Sequence, residues 1–514
     1  MTGRVELALI SFMRLLSFLG KGFGNVCRSL RYRTWAGLLL VLPLWVNADG
    51  GRLPNIVLIL ADDMGWNDVG YHGSEIRTPR IDELAAGGIA LDQFHSQPTC
   101  TPTRAALMTG KSPQRLGIYR QFAKYATEGL PATELTIADH LGRAGYQTWL
   151  VGKWHLGHAR REFHPNSRGF DHFYGHVTGG IGYWDHVHGG GLDWQRNGES
   201  VREKGYSTHL LRDEARRLIV DRDRDRPFFL YASFNAPHLP NEAPPETVSS
   251  YAELEPESRR RHAAMVTELD SAIGSLVDLL SDEGELQNTL IWFLSDNGGL
   301  NPESMADSPW LSVAQRVDAW FDGPAPITFL EFIRTNVLDG GADNSPLRLG
   351  KGSVYEGGVR VPSLVHWDGM IEPGIVADML TVQDVLPTLL EAAGLDMPAD
   401  LDGASQWPVV TGTGASRTPD YLTIGQSGEQ AYYAWPWKLV ALADQPELYN
   451  LETDSYEASN VAAMHPEKVA SLQEQLARFP RAENLHIPLY KVMLDPDFFG
   501  GAEDRPPWTD LITE

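Results

Sequence analysis

Two short apolar runs each end in residues that could hold a cation. Asn55–Leu60 is followed by Asp62 and Asp63, and Thr289–Leu294 by Asp296 and Asn297. Either pair alone reads as a turn, where Asp is common. Together they offer three carboxylates and an amide oxygen, a hard-oxygen set suited to Ca²⁺ or Mg²⁺. Without a cation the carboxylates would repel one another. Two further runs end in cationic or titratable groups: Gln147–Val151 leads to Lys153 and His155, and Phe228–Phe234 leads to His238. An isolated histidine is usually a satisfied core or surface residue, but each of these follows a strand-like run just as the acids do.

Cys100 opens the run Cys100-Thr101-Pro102-Thr103-Arg104. Pro102 suits the first turn of a helix and Gly110 its end. Residue 100 is therefore expected at a helix N-terminus, which favours anions, with Arg104 one turn on. A thiolate would be activated there. Yet a thiolate is a soft ligand and fits poorly beside oxygen donors on a hard cation; an oxygen-bearing residue 100 would fit better. Cys27 is the one other cysteine, so the fold is not built on disulfides.

The elements that must position these groups alternate. Helical patterns over Ile81–Ala86, Thr136–Ala144 and Arg261–Leu280 lie between the apolar runs. Such alternation predicts an α/β fold with a large, mostly parallel sheet sandwiched by helices. Ligands of such sheets sit beyond the C-terminal strand ends, so carboxylates, amide, lysine and histidines should meet at one edge. After Pro373 the pattern changes: a helix over Thr381–Ala393, strands within Tyr432–Val440 and Glu447–Leu451, and a helix near Pro466–Arg478. The expected organisation is an export segment over 1–48, a catalytic domain over 52–375, and a smaller C-terminal subdomain over 376–514 built on an antiparallel sheet and a helix.

The net charge of −24 over 514 residues argues against nucleic acid or an anionic membrane surface as partner. An anionic substrate then needs local positive charge. The 15 Trp and 17 Tyr would suit carbohydrate or aryl binding, although packing accounts for most aromatic residues. Arg28, Arg31 and Arg33 precede the apolar stretch Trp35–Val46, and Val46-Asn47-Ala48 resembles a cleavage site. That stretch falls short of the roughly 20 residues needed to span a bilayer. A periplasmic or secreted protein without a stable membrane span follows, with an uncleaved signal anchor as the alternative.

Cys100-Thr-Pro-Thr-Arg104, continued by Ala-Ala-Leu-Met-Thr-Gly-Lys111, resembles the sulfatase signature. The resemblance extends over about Asn55–Asn460. It includes Leu60-Ala-Asp-Asp-Met-Gly-Trp-Asn-Asp-Val-Gly70, Val151-Gly-Lys-Trp-His-Leu-Gly157, Leu294-Ser-Asp-Asn-Gly-Gly299, Tyr355-Glu-Gly-Gly-Val-Arg-Val-Pro362 and Glu447-Leu-Tyr-Asn-Leu-Glu452. Several motifs in family order are far more specific than one, and they are most similar to the arylsulfatase B-like branch of this alkaline-phosphatase-like superfamily. The resemblance implies that a maturation enzyme oxidises Cys100 to formylglycine, which removes the ligand mismatch. It implies Asp62, Asp63, Asp296, Asn297 and residue 100 as ligands of Ca²⁺ or Mg²⁺. Arg104 would hold the aldehyde hydrate, Lys153 and Lys351 would bind sulfate oxygens, His155 would orient or deprotonate a hydroxyl on residue 100, and His238 would protonate the departing alkoxide. One hydroxyl of the hydrate would attack sulfur; the other would then collapse to the aldehyde and expel sulfate.

The substrate class implied is a sulfated saccharide or aryl sulfate. A phosphatase or phosphonate monoester hydrolase of the same superfamily is the alternative, although those enzymes usually carry Thr or Ser as nucleophile or bind two metals. The segment 300–346 is longer than the family pattern; with helices over Pro309–Phe321 and Phe329–Val337, it would form either part of the substrate-pocket rim or a surface insertion. Mass spectrometry of the tryptic peptide holding residue 100 should find it about 18 Da lighter than the cysteine form; an unmodified thiol in the active protein would overturn the formylglycine reading.

Overall fold

The computed structural model describes residues 52–479 except 124–125, 189–190, 306–335, 337–340, 417–419 and 443–444. The export segment, Cys27 and, apart from Asn336, the two helices expected in the 300–346 insertion lie outside the described residues.

In chain order the first twelve strands are β1 (Asn55–Ala61), β2 (Ile89–His95), β3 (Gln147–Lys153), β4 (His172–His176), β5 (Val187–His188), β6 (Gly191–Leu192), β7 (Gln195–Arg196), β8 (Glu199–Ser200), β9 (Phe228–Ser233), β10 (Thr289–Ser295), β11 (Ser363–His366) and β12 (Gly374–Thr381). Ten of them form one sheet in the order β12-β2-β11-β10-β1-β9-β3-β4-β7-β8. The middle five, β10, β1, β9, β3 and β4, run parallel. β11 is antiparallel to both its neighbours. Every residue of β1, β3, β9 and β10 is buried, as strands covered on both faces require.

Six helices cover the faces: α1 (Pro79–Gly87), α2 (Cys100–Thr109), α3 (Ile137–Arg143), α4 (Ser207–Val220), α5 (Glu257–Asp282) and α6 (Val385–Ala392). Alternation along β1 separates two cores. Ile56, Leu58 and Leu60 pack with α2, α3 and α6. Val57, Ile59 and Ala61 pack with α1, α4 and α5. The amphipathic helix is thus the complement of the pleated strand: each supplies one apolar face to one layer.

Register decides what reaches the edge. Ala61 pairs with Ser295, Leu60 with Ser233, Gly152 with Ser233 and Lys153 with His176. The strand ends are therefore level. Gly152 shows how tight this is: its φ is +116°, and a Cβ there would lie 1.8 Å from the Ser233 carbonyl oxygen, so only glycine lets β3 lie against β9 at this level.

The C-terminal strands β13 (Tyr421–Ile424), β14 (Gln430–Ala434), β15 (Trp437–Ala441) and β16 (Glu447–Asn450) form an antiparallel sheet. Helix α7 (Pro466–Leu476) packs Val469, Leu472 and Leu476 against it. β12 crosses residue 375 and pairs with β2, and α6 lies in the same core as α2. The first residues assigned on sequence to the smaller unit thus belong to the main sheet. The helix expected from Thr381 begins only at Val385, because Thr381 and Asp384 form a capping box around a short turn.

A buried ionic cluster ties the small sheet to the large one. Glu356 takes His95 Nε2 at 2.9 Å, Lys438 Nζ at 2.9 Å and the Tyr433 hydroxyl at 3.1 Å. Lys438 also meets Glu457 at 2.6 Å, and the ion-paired side chains are wholly buried. Removing one partner of a buried pair leaves an uncompensated charge. Lys438→Met is therefore expected to lower stability by about 3–5 kcal/mol, read as a fall in the denaturant midpoint; an unchanged midpoint would show the cluster to be dispensable.

Candidate active site

The two acid pairs meet at the ends of β1 and β10. The Asp296 N–H donates to the Ala61 carbonyl at 3.0 Å, locking the two strand ends together. Asp63 adopts a left-handed φ of 65°, which ordinarily disfavours a residue with a side chain and is tolerated best by Asn and Asp. Its N–H donates to Asp296 Oδ1 at 3.2 Å, and Asn297 Nδ2 donates to Asp63 Oδ1 at 2.7 Å. Asp62, Asp63 and Asp296 are all buried.

Three cations face these acids. Arg104 Nε and Nη2 grip Asp296 Oδ2 at 3.0 and 2.8 Å. Lys153 Nζ lies 2.6 Å from Asp62 Oδ2, and Lys351 Nζ 2.5 Å from Asp63 Oδ2. Lys351 comes from a loop bonded to the same edge, its N–H donating to Gly299 O at 3.1 Å. Burial, joined by Asp296, pushes the Asp62 carboxyl up to about 8 even though Lys153 and Arg104 oppose it. Burial also acts on Asp63, but Lys351, His238 and Lys153 outweigh it and hold that carboxyl well below the usual range.

Cys100 begins α2, as the proline pattern predicts, and its Sγ lies 3.7 Å from Asp62 Oδ1. The expectation of an activated thiolate fails. Burial, with help from Asp296 and Asp62, pushes this thiol up to about 12 despite Lys153 and Lys351. The helix N-terminus cannot offset the loss of water around a charged sulfur.

Both active-edge histidines are neutral, chiefly through burial, which pushes His238 down to about 3 and His155 well below its usual value. His155 Nε2 lies 2.9 Å from the Phe122 carbonyl, so Nε2 carries the hydrogen; Nδ1 is buried with no partner and is a free acceptor. His238 Nδ1 lies 2.7 Å from the Leu239 carbonyl, and its Nε2 faces Asp63 Oδ2 at 3.5 Å.

Residues given no catalytic or metal-binding role from sequence complete the setting. Ser233, the last residue of β9, accepts from Arg104 Nη1 at 2.7 Å; its strand-end position was the legible signal. His176 ends β4 beside Lys153, fully buried, with neither ring nitrogen partnered. The Tyr183 hydroxyl lies 2.8 Å from the Asn235 carbonyl and 2.9 Å from that of His238. Of the other histidines near this edge in sequence, His72 stacks on Trp66 and His186 on Trp194. Asn336, from the 300–346 insertion, accepts at 2.6 Å from the Asn241 N–H, three residues beyond His238.

The donors fit a hard cation. Ligand atoms of Asp62, Asp63, Cys100 and His238 all lie within 4.8 Å of one another. Asn297 Oδ1 is buried without a partner, an orphan that a cation would satisfy. Asp296 and Asn297 adjoin this group through Asp63.

A large, mostly parallel sheet covered by helices, with an acid-rich edge and a buried residue at a helix start, fits the alkaline-phosphatase-like class of fold. The sulfatase family model matches residues 54–395, and that of the N-sulphoglucosamine sulphohydrolase C-terminal region matches 349–482. The chain belongs to the sulfatase family and is a sulfuric ester hydrolase. Human N-acetylgalactosamine-6-sulfatase is 32% identical over 75% of this chain and 72% of its own. Mouse arylsulfatase J is 33% identical over 70% of this chain, but the match spans 56% of that protein. Among solved structures, Ps i-CgsB in complex with k-i-k-neocarrahexaose superposes with a TM-score of 0.73 at 29% identity, covering 87% of this chain and 99% of that one. The phosphonate monoester hydrolase of Agrobacterium radiobacter is more distant, with a TM-score of 0.56 at 19% identity over 83% of this chain and 95% of that one, and shares the fold.

Because the cation-free Asp62 carboxyl titrates near pH 8, a proton competes with any cation there below that pH. Added Ca²⁺ should raise the melting temperature of the chelator-treated protein, and its apparent affinity should rise with pH from the acid side toward about pH 8 as the Asp62 proton is lost. Stabilisation that is absent, or that weakens over this range, would exclude Asp62 from the cation site.

Proposed function

We propose that this chain removes sulfate from a sulfated saccharide through an aldehyde hydrate made from Cys100, at a site holding one Ca²⁺ or Mg²⁺. The observation that carries the reading is the environment of residue 100: a buried cradle of carboxylates in which a thiolate is disfavoured and whose hard-oxygen donors suit an oxygen-bearing partner better than sulfur. Oxidation of Cys100 to formylglycine by a separate maturation enzyme would provide that partner. The cation would be held by Asp62, Asp63, Asp296, Asn297 and an oxygen on residue 100; when bound, it supplies Lewis-acid polarisation of sulfate and lowers the pKa of the attacking hydroxyl.

The chain's own residues do the rest. Arg104, fixed by Asp296, Ser233 and the Lys153 carbonyl, holds the group at residue 100. Lys153 and Lys351 sit on Asp62 and Asp63; a cation there would displace them toward the oxygens of a bound sulfate. His155 Nδ1 accepts a proton from a hydroxyl on residue 100, since the Phe122 carbonyl holds the other nitrogen protonated. His238 is aimed through Nε2. It is neutral in the empty pocket, and the negative charge of a bound sulfate would raise its pKa and let it protonate the leaving oxygen.

A saccharide is the favoured substrate because the structural relative named above was solved with k-i-k-neocarrahexaose and another relative is named N-acetylgalactosamine-6-sulfatase; similarity to the arylsulfatase B-like branch rests on the motifs alone. We further propose that the catalytic unit extends to the end of α6, that the smaller unit begins at β13, and that the basic-then-apolar segment before Ala48 directs export to the periplasm or medium. Among the described residues no helix is long and apolar enough to cross a membrane.

Purified after coexpression with a maturation enzyme, the protein should hydrolyse 4-nitrophenyl sulfate at least 100-fold more efficiently than 4-nitrophenyl phosphate, and Cys100→Ala should cost roughly 10³-fold or more in kcat. Preference for the phosphate would favour the phosphatase or phosphonate hydrolase alternative.

A further inference from the structure

Beside the two active-edge histidines runs a single pinned loop, residues 177–188. It meets the two histidines at its glycines: a Cβ on Gly179 would lie 2.8 Å from His155 Cε1, and one on Gly180 would lie 2.9 Å from His238 Cε1. Any side chain at either position would fill the space over the histidine rings. The loop is held at both ends. Val177 and Thr178 donate their N–H groups to the buried Asp193 at 3.1 and 2.9 Å. Gly182 N–H donates to Val187 O at 3.0 Å, and His186 N–H to Gly182 O at 3.1 Å, closing a tight turn.

The tip of that turn is aromatic and exposed. Tyr183 is buried, with its hydroxyl at the His238 carbonyl and its N–H on Glu242. It stacks on Tyr206 at 5.2 Å, and Trp184 packs against the other side of this pair, 5.1 Å from Tyr206. Trp184 nonetheless keeps 47% of its surface exposed. The tip is therefore a rigid indole held out from a wall that touches both histidines. An exposed aromatic so firmly anchored beside a polar site is a binding feature rather than a packing one.

The geometry points to Trp184 as a stacking platform for a sugar ring next to the sulfate-bearing one, making this a site for oligosaccharides rather than sulfated monosaccharides. Two aromatic rings, Tyr183 and Tyr206, lie between Trp184 and the His238 carbonyl. Trp184 also lies four residues beyond Gly180 on the loop, a span of at most roughly 14 Å, in the range of a sugar further along the saccharide chain than the sulfate-bearing one. The C–H face of a pyranose presents the partial positive charge that the face of an indole attracts. The inference rests on the sulfatase reading above and adds its substrate size.

The test uses 4-nitrophenyl sulfate and sulfated hexasaccharides and disaccharides from carrageenan and chondroitin sulfate, with wild type, Trp184→Ala and Trp184→Phe. Wild type should favour at least one hexasaccharide over its disaccharide. Trp184→Ala should lose about tenfold or more in kcat/KM on it, chiefly through KM, while 4-nitrophenyl sulfate changes less than about twofold; Trp184→Phe should recover most of the loss. No hexasaccharide preference in wild type, no loss in Trp184→Ala, or equal loss on the aryl sulfate would overturn the platform. Wild type inactive on every sulfate ester would instead sink the sulfatase reading.

Discussion

The structure turns on three carboxylates buried side by side. Asp62, Asp63 and Asp296 lie out of water at the ends of two adjacent parallel strands, where like charges close together are costly. Everything near them compensates. Arg104 reaches back from the first turn of α2, Lys153 from the end of β3, and Lys351 from a loop hydrogen-bonded to Gly299. The protein carries a net charge of −24, yet Arg104, Lys153 and Lys351 converge at this edge, where the proposed anionic sulfate ester would be held. The unpartnered Asn297 oxygen and the raised Asp62 carboxyl mark the places where this compensation is incomplete.

Burial also separates this chemistry from ordinary thiol chemistry. A helix start and nearby lysines are the usual means of activating a cysteine. Here they are overridden, because full burial beside carboxylates penalises a charged sulfur more than the dipole rewards it. The result is a residue held in its protonated thiol form. Histidine follows the same logic. Burial keeps His155 and His238 neutral, and backbone carbonyls choose their tautomers, leaving one acceptor nitrogen on each.

The smaller sheet is more than an appendage. Lys438 on β15 neutralises Glu356 in the turn that follows the Lys351 loop, and His95 at the end of β2 completes the cluster. Gly357 in that turn donates to Arg348 O at 2.9 Å, and Gly358 O accepts from Gly298 N–H at 3.0 Å. The ion cluster thus braces the loop carrying Lys351 and the turn after Asp296–Asn297 at once. Such buried polar links are geometrically demanding, which suits a part that must hold charges in register.

Much of this was legible in the residues themselves. The continuous apolar runs of β1, β3, β9 and β10 could hardly be anything but strands buried on both faces, and the polar residues just beyond them had to share an edge once those strands ran parallel. Pro102 and Gly110 bracketed α2 because proline and glycine act locally. Other features were settled by contacts distant in sequence. β12 joined the main sheet because its partner is β2, far from it in sequence, and no local signal near residue 375 carries that pairing. The thiol's true character depended on burial, which a five-residue motif does not encode. Tyr183, Ser233 and the exposed Trp184 drew meaning only from the neighbours that folding brought to them. Sequence by itself determined which groups could do chemistry and the level at which strands deliver them, because periodicity and turn residues are local. Tertiary structure alone decided their charge states, tautomers and walls, because desolvation and the Coulomb field are sums over residues the chain order keeps apart.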